Sequence, residues 1–182
     1  MSKTEPTFRE TKLWVLPIEM IENIIFDNVI LTKSYIFKNY KTLNFNIDTL
    51  FVLHKILCEN LYTESWDYRK HNVKMWDFEP IDFYKVPIEL KNLWEDIKER
   101  QKHLKTLEDK KEFLAYVMWK ILWIHPFFDY NWRITRLFWE LFLLKNNMKL
   151  STFEWVNRKD FVNAMKKATS ENTFDDIIKL LD

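Results

Sequence analysis

The sequence predicts a mainly α fold, a single helical domain with a short β-hairpin flap near its middle. Three observations carry this expectation. Apolar residues recur at spacings of three and four through most of the 182 residues, the pattern of amphipathic helices packed on one another. Pro17 and Pro87 each stand just ahead of such a run, where a helix tolerates the missing amide. Between Tyr62 and Tyr84 helical spacing lapses, with Tyr68, Val73, Met75 and Phe78 set among polar residues and Pro80 behind them. An apolar share of 47% builds one core in a chain too short for two.

Pro17 opens a helix through Ile18, Ile21, Ile24, Ile25 and Val29, and a second follows near Ser34 to Lys41. Asp48 is placed to cap a third, with Leu50, Phe51, Leu53, Leu57 and Leu61 on its buried side and His54 and Glu59 on its wetter flank. The stretch from Tyr62 to Tyr84 reads as two short strands or an extended flap. Pro87 then starts a charged helix from Ile88 to about Lys102, using Leu90, Leu93, Trp94 and Ile97 as its stripe. Lys105 to Lys110 makes a polar connection. The most apolar helix is expected over Glu112 to Trp123, and a second heavily apolar one over Ile134 to Leu144. Asn157 is placed to cap a helix through Phe161 and Met165, and Phe174 to Leu181 closes the chain.

With 28 basic against 27 acidic residues, a polyanion-binding surface is not the expected business of the protein, and nucleic acid is not an expected partner. The single cysteine, Cys58, excludes an intrachain disulfide and a multi-cysteine zinc site; it reads as a small buried hydrophobe in a reducing compartment. No segment has the apolar length of a membrane span, and Met1 to Lys12 lacks the core of a secretory signal. The expectation is a cytoplasmic protein with no membrane partner. Glycine is absent altogether, where average usage would give about a dozen.

Residues 125 to 136, His-Pro-Phe-Phe-Asp-Tyr-Asn-Trp-Arg-Ile-Thr-Arg, place a base, an acid, an amide and two guanidinium groups between the two most apolar helices. The start of the second helix offers unpaired amides and a positive dipole end, which suit a phosphate. Arg133 and Arg136 lie three residues apart on one helical face, and guanidinium matches phosphate geometry. Asp129 supplies a hard oxygen of the kind that holds Mg²⁺ beside nucleotide phosphates. His125 has the ordinary pKa of a general base. Taken singly, each residue reads more simply as a satisfied core histidine or a surface ion pair.

The stretch resembles the signature of the Fic/Doc family, His-Pro-Phe-x-(Asp/Glu)-Gly-Asn-Gly-Arg-x-x-Arg, and seven of its nine specified positions match. The resemblance implies a Fic-like domain over residues 49–182, with residues 1–48 as a helical extension of the same domain. It implies a protein adenylyltransferase that uses ATP and Mg²⁺ and acts on a Ser, Thr or Tyr hydroxyl of a target protein. By position, His125 is the base, Asp129 the metal ligand, Asn131 a phosphate contact, Arg133 and Arg136 the phosphate clamps, and Phe127 a packing residue. The family's flap aligns the target by strand pairing, which makes Asn72, Val73, Lys74 and Met75 the candidate edge. Its frequent inhibitory segment, Ser/Thr-x-x-x-Glu-(Gly/Asn), is incomplete here: Glu22-Asn23 and Glu171-Asn172 supply only the last two letters. That leaves control by a small separate inhibitor protein, or no control.

Tyr130 and Trp132 occupy the signature's two glycine positions. Glycine takes positive φ without strain and lets a ligand approach the backbone closely. Tyr130 is expected to turn its ring away, which makes Trp132 the decisive residue. A ring outside the phosphate cradle leaves the Trp132 amide available; a ring inside makes the domain a catalytically silent unit that binds a nucleotide or a partner protein. Trp66, Trp76 and Trp155 stand at other turn-like positions where glycine is usual.

Overall fold

The computed structural model describes residues 8–62, 67–74, 79–149 and 158–180. A two-stranded antiparallel hairpin, β1 (Phe8–Glu10) and β2 (Val15–Pro17), leads directly into α1 (Ile18–Asn39). There follow α2 (Ile47–Cys58), α3 (Val86–Arg100), α4 (Leu107–Ile124), α5 (Asn131–Lys145), α6 (Arg158–Glu171) and α7 (Asp175–Lys179). Single 3₁₀ turns at Phe83–Lys85 and Gln101–His103 flank α3. No described helix is long and apolar enough to cross a membrane.

Helix α5 is the hub, packing on α1, α2 and α4, while α4 also meets α3 and α7. Its buried face runs from Asn131 through Ile134, Leu137, Phe138, Leu141 and Phe142. Phe45, from the loop before α2, stacks on Phe138 at 4.1 Å and tilts against Phe142 at 4.9 Å. Offset aromatic contacts of this kind add to the area they bury. These packed neighbours hold the two ends of the 125–136 loop at a fixed separation.

Several boundaries differ from the sequence expectation, each for a local reason. The two helices expected before Lys41 are one continuous helix. Its buried stripe contains Asn28 and Thr32, polar residues that mimic a break in the apolar pattern. Both are satisfied: Asn28 Nδ2 donates to the Leu57 carbonyl at 2.8 Å, and Thr32 Oγ1 to the Asn28 carbonyl at 2.7 Å. The α2 cap is Asn46, whose side chain accepts from the Thr49 amide, in place of Asp48. The expected polar connection at Lys105 to Lys110 is largely the first turn of α4, closed by a capping box between Thr106 and Asp109.

The hairpin is also displaced. Strand pairing occurs at residues 8–17, and among the described residues of 62–84 there is none. The described residues of that segment are irregular, with bends at Asp67, Lys70 and His71, and are held through a side chain: Arg69, 2% exposed, donates to the carbonyls of His71, Ile81, Ile124 and His125. The Arg69 amide adds a bond to the Pro126 carbonyl at 2.8 Å. A guanidinium thus does the work of a strand ladder, and it caps the α4 C-terminus, where a cation is favoured. Met75, Trp66, Trp76, Trp155 and Asn157 lie outside the described residues.

Candidate functional site

The loop from His125 to Tyr130 is bounded by two residues in the left-handed region. His125 (φ 51°, ψ 61°) ends α4 and Tyr130 (φ 58°, ψ 19°) precedes α5. Without glycine, each costs on the order of 1–2 kcal/mol, which the packing around the loop must offset. Phe127, fully buried, is the anchor: His54 stacks on it at 3.7 Å with rings 4° from parallel, and Phe51 meets it edge-on at 5.0 Å. His54 is therefore buried, not on a wet flank, and its Nε2 lies 3.1 Å from the Asp129 carbonyl. Asn131 closes the loop from inside, its Oδ1 accepting from the Phe127 amide at 2.9 Å and its Nδ2 donating to the Phe127 carbonyl at 2.8 Å. The Asn131 side chain is thereby a staple for the loop, and its backbone amide is what faces the helix start.

Strain falls on the first glycine position of the signature, not the second. Trp132 lies in the first turn of α5 with ordinary helical geometry, and positive φ is confined to His125, Tyr130, Asn147 and Asn172 among the described residues. Helix geometry leaves the amides of Asn131, Trp132 and Arg133 without intrahelical acceptors. The Trp132 indole, half-buried, leans edge-on against Phe161 of α6 at 4.4 Å.

A cavity of about 590 Å³ opens over this helix start. His125, Asp129, Tyr130, Asn131, Trp132 and Arg133 line it from the loop, Val73 and Lys74 from the segment after Arg69, and Phe161 and Met165 from α6. The loop side is polar, and α6 adds Lys166 and Thr169 to the apolar Phe161, Val162 and Met165. Arg136, one turn beyond Arg133, is half-buried and does not line the cavity. Asn72 is likewise away from it, bonding the Phe83 amide and Asp82.

Electrostatics at the loop are set by two ion pairs and one buried imidazole. Arg133 makes a forked pair with Glu22 of α1, and its guanidinium lies 5.1 Å from the centre of the Tyr130 ring. The Asp129 carboxylate pairs through Oδ2 with Arg9 of β1, while Oδ1 accepts from the Tyr130 amide at 2.7 Å. His125 is 8% exposed and its Nδ1 has no hydrogen-bond partner. Burial first, and the positive charge of Arg69 second, push its pKa down to about 4. The ring is neutral at pH 7 and able to accept a proton. Burial likewise pushes the Cys58 thiol well above its usual range, which makes it inert.

Sequence reasoning located His125, Asp129 and Arg133, which do converge on one cavity. It missed Arg9 and the burial of Arg69, which have no spacing signal, and only half marked Glu22, whose helix lacks the Ser or Thr of the inhibitory segment. No group of three or more His, Cys, Asp or Glu able to hold a metal occurs among the described residues. Asp129 alone still suits Mg²⁺, which needs one or two carboxylates when phosphates complete its shell.

A family model for the Fic/DOC family matches residues 44–143. Among solved structures, the BepC effector of Bartonella tribocorum with bound AMPPNP superposes with a TM-score of 0.75 at 15% identity, over 98% of this chain and 92% of that one. The N-terminal Fic domain of an effector from Bartonella sp. AR 15-3 gives 0.78 at 17% identity, over 100% and 88%. A Bartonella quintana Fic domain with bound ADP gives 0.69 at 16% identity, over 100% and 91%. No curated protein matches the chain. With the motif at a helix-start cavity, the fold shared, and the family model spanning more than half of the residues, the chain belongs to the Fic/DOC family.

Proposed function

We propose that the protein is an adenylyltransferase that moves AMP from ATP to a Ser, Thr or Tyr hydroxyl of a target protein. The observation that carries this reading is the convergence of His125, Asp129 and Arg133 with free amides of α5 around one nucleotide-sized cavity. Two structural neighbours hold AMPPNP and ADP, which supports a nucleotide as ligand. The target oxygen would attack the α-phosphorus, forming an O–P bond as the bond to the β-phosphate oxygen breaks and pyrophosphate leaves. The hydroxyl proton passes to His125, which is neutral at pH 7; burial lowers its proton affinity, so transfer accompanies O–P bond formation, when the attacking oxygen turns acidic. Arg133 and the helix-start amides would hold phosphate oxygens. Asp129 would hold Mg²⁺, which supplies neutralisation of phosphate charge. Val73 and Lys74 at the cavity mouth suit contact with the target chain, with Asn72 anchoring the segment and Met75 next in sequence.

Glu22 competes with phosphate for Arg133, so α1 itself is a restraint on this activity. A catalytically silent nucleotide-binding domain is the second reading, favoured by Trp132 in the cavity wall and by both ion pairs at the loop. Incubation with α-labelled ATP, Mg²⁺ and lysate separates the two. Transfer of label by the native chain and none by His125→Ala is expected. Label that persists in His125→Ala refutes the mechanism, and nucleotide binding without transfer by either chain establishes the silent reading.

A further inference from the structure

Asp129 is the carboxylate on the cavity's loop side, and a guanidinium already occupies it. Its Oδ1 is taken by the Tyr130 amide and its Oδ2 by Arg9. Arg9 arrives from outside the motif: it sits in β1, paired in register with Leu16 of β2, on the hairpin that leads into α1. It lines both the 590 Å³ cavity and a second of about 580 Å³ on the far side of Asp129 and Tyr130. The Arg9–Asp129 pair thus forms part of the wall between them. A guanidinium keeps its proton throughout the working pH range, so the charge is permanent. A second cation cannot share Oδ2 with it, since two like charges at contact repel strongly in a partly dehydrated site.

We propose that Arg9 is a resident counter-cation: it holds Asp129 against divalent ions, and the cation of an incoming metal–nucleotide complex enters only as the guanidinium leaves. The proposal rests on the nucleotide reading above. It assigns the N-terminal hairpin a role in setting cation affinity, opposite in sign to that of Glu22, whose carboxylate stands on Arg133 where phosphate would. Together the two side chains present to the loop one positive and one negative group, the charges a metal–phosphate unit would bring.

The hairpin is held independently of Arg9. The Lys12 amide donates to the Leu61 carbonyl at 2.7 Å, and Lys12 Nζ to the Glu59 carbonyl at 2.9 Å. Replacing Arg9 therefore removes the charge without releasing the strand.

The test uses the full chain with Mn²⁺ and AMPPNP, reading free Mn²⁺ by electron paramagnetic resonance. Arg9→Gln is expected to bind the Mn²⁺–nucleotide complex about three- to ten-fold more tightly than the native chain. Arg9→Lys, which keeps the charge, should bind like the native chain, and Asp129→Asn should lose the Mn²⁺ contribution. Equal affinity in the native chain and Arg9→Gln overturns the proposal alone, and so does weaker binding by Arg9→Gln, which would make Arg9 a phosphate contact. If no variant binds the complex, the nucleotide reading falls and the proposal with it.

Discussion

Acidification provides the most direct measure of the strain under which His125 is held. In the folded protein its pKa is pushed down to about 4, from 6.5 in an unperturbed imidazole. The unfolded chain therefore takes up a proton as the pH falls below about 6.5, and the folded chain only below about 4. Stability from the neutral ring is complete above 6.5, declines as the pH falls between the two values, and is lost below 4. At 1.36 kcal/mol per pH unit, the loss is on the order of 3 kcal/mol, a sizeable part of the 5–15 kcal/mol typical of a domain. The comparison that isolates this ring is with His125→Asn, which tolerates the left-handed backbone and cannot titrate. Urea unfolding at pH 7.5 and pH 4 is expected to show the native chain losing about 3 kcal/mol more than the variant. Imidazole resonances should place the His125 midpoint near 4. Parallel losses in the two proteins, or a midpoint near 6.5, would refute the claim that burial and Arg69 keep this ring neutral.

Arg69→Met removes four donor contacts to carbonyls and the charge beneath His125, and is expected to cost about 3–5 kcal/mol. The same variant should raise the His125 midpoint by NMR; an unchanged midpoint would leave burial as the sole cause. Glu22→Ala frees Arg133 and should tighten ATP binding about ten-fold by calorimetry, whereas unchanged affinity would show that the pair does not compete with phosphate. Trp132→Gly should lower stability by about 2 kcal/mol through loss of the Phe161 contact and helix propensity. Because the backbone there is already helical, nucleotide affinity should change less than about three-fold, and a large gain would put the indole in the phosphate space.

The sequence by itself determined the helical class, the apolar helices on either side of residues 125–136, and the residues able to do phosphate chemistry, because period and spacing are local properties. Seven matched positions also carried the family. It did not foresee the hairpin at residues 8–17, nor that among the described residues of 62–84 a buried Arg69 makes the contacts where strand pairing was expected. It read a break in α1, since satisfied Asn28 and Thr32 look like solvent-facing residues until their partners are known. Tertiary structure alone decided the state of the loop. Asn131 staples it, Tyr130 rather than Trp132 carries its left-handed turn, and Arg9 and Glu22 arrive from more than a hundred residues away to pair with Asp129 and Arg133. Those contacts leave no periodic trace, because they are set by where packed helices bring distant side chains together.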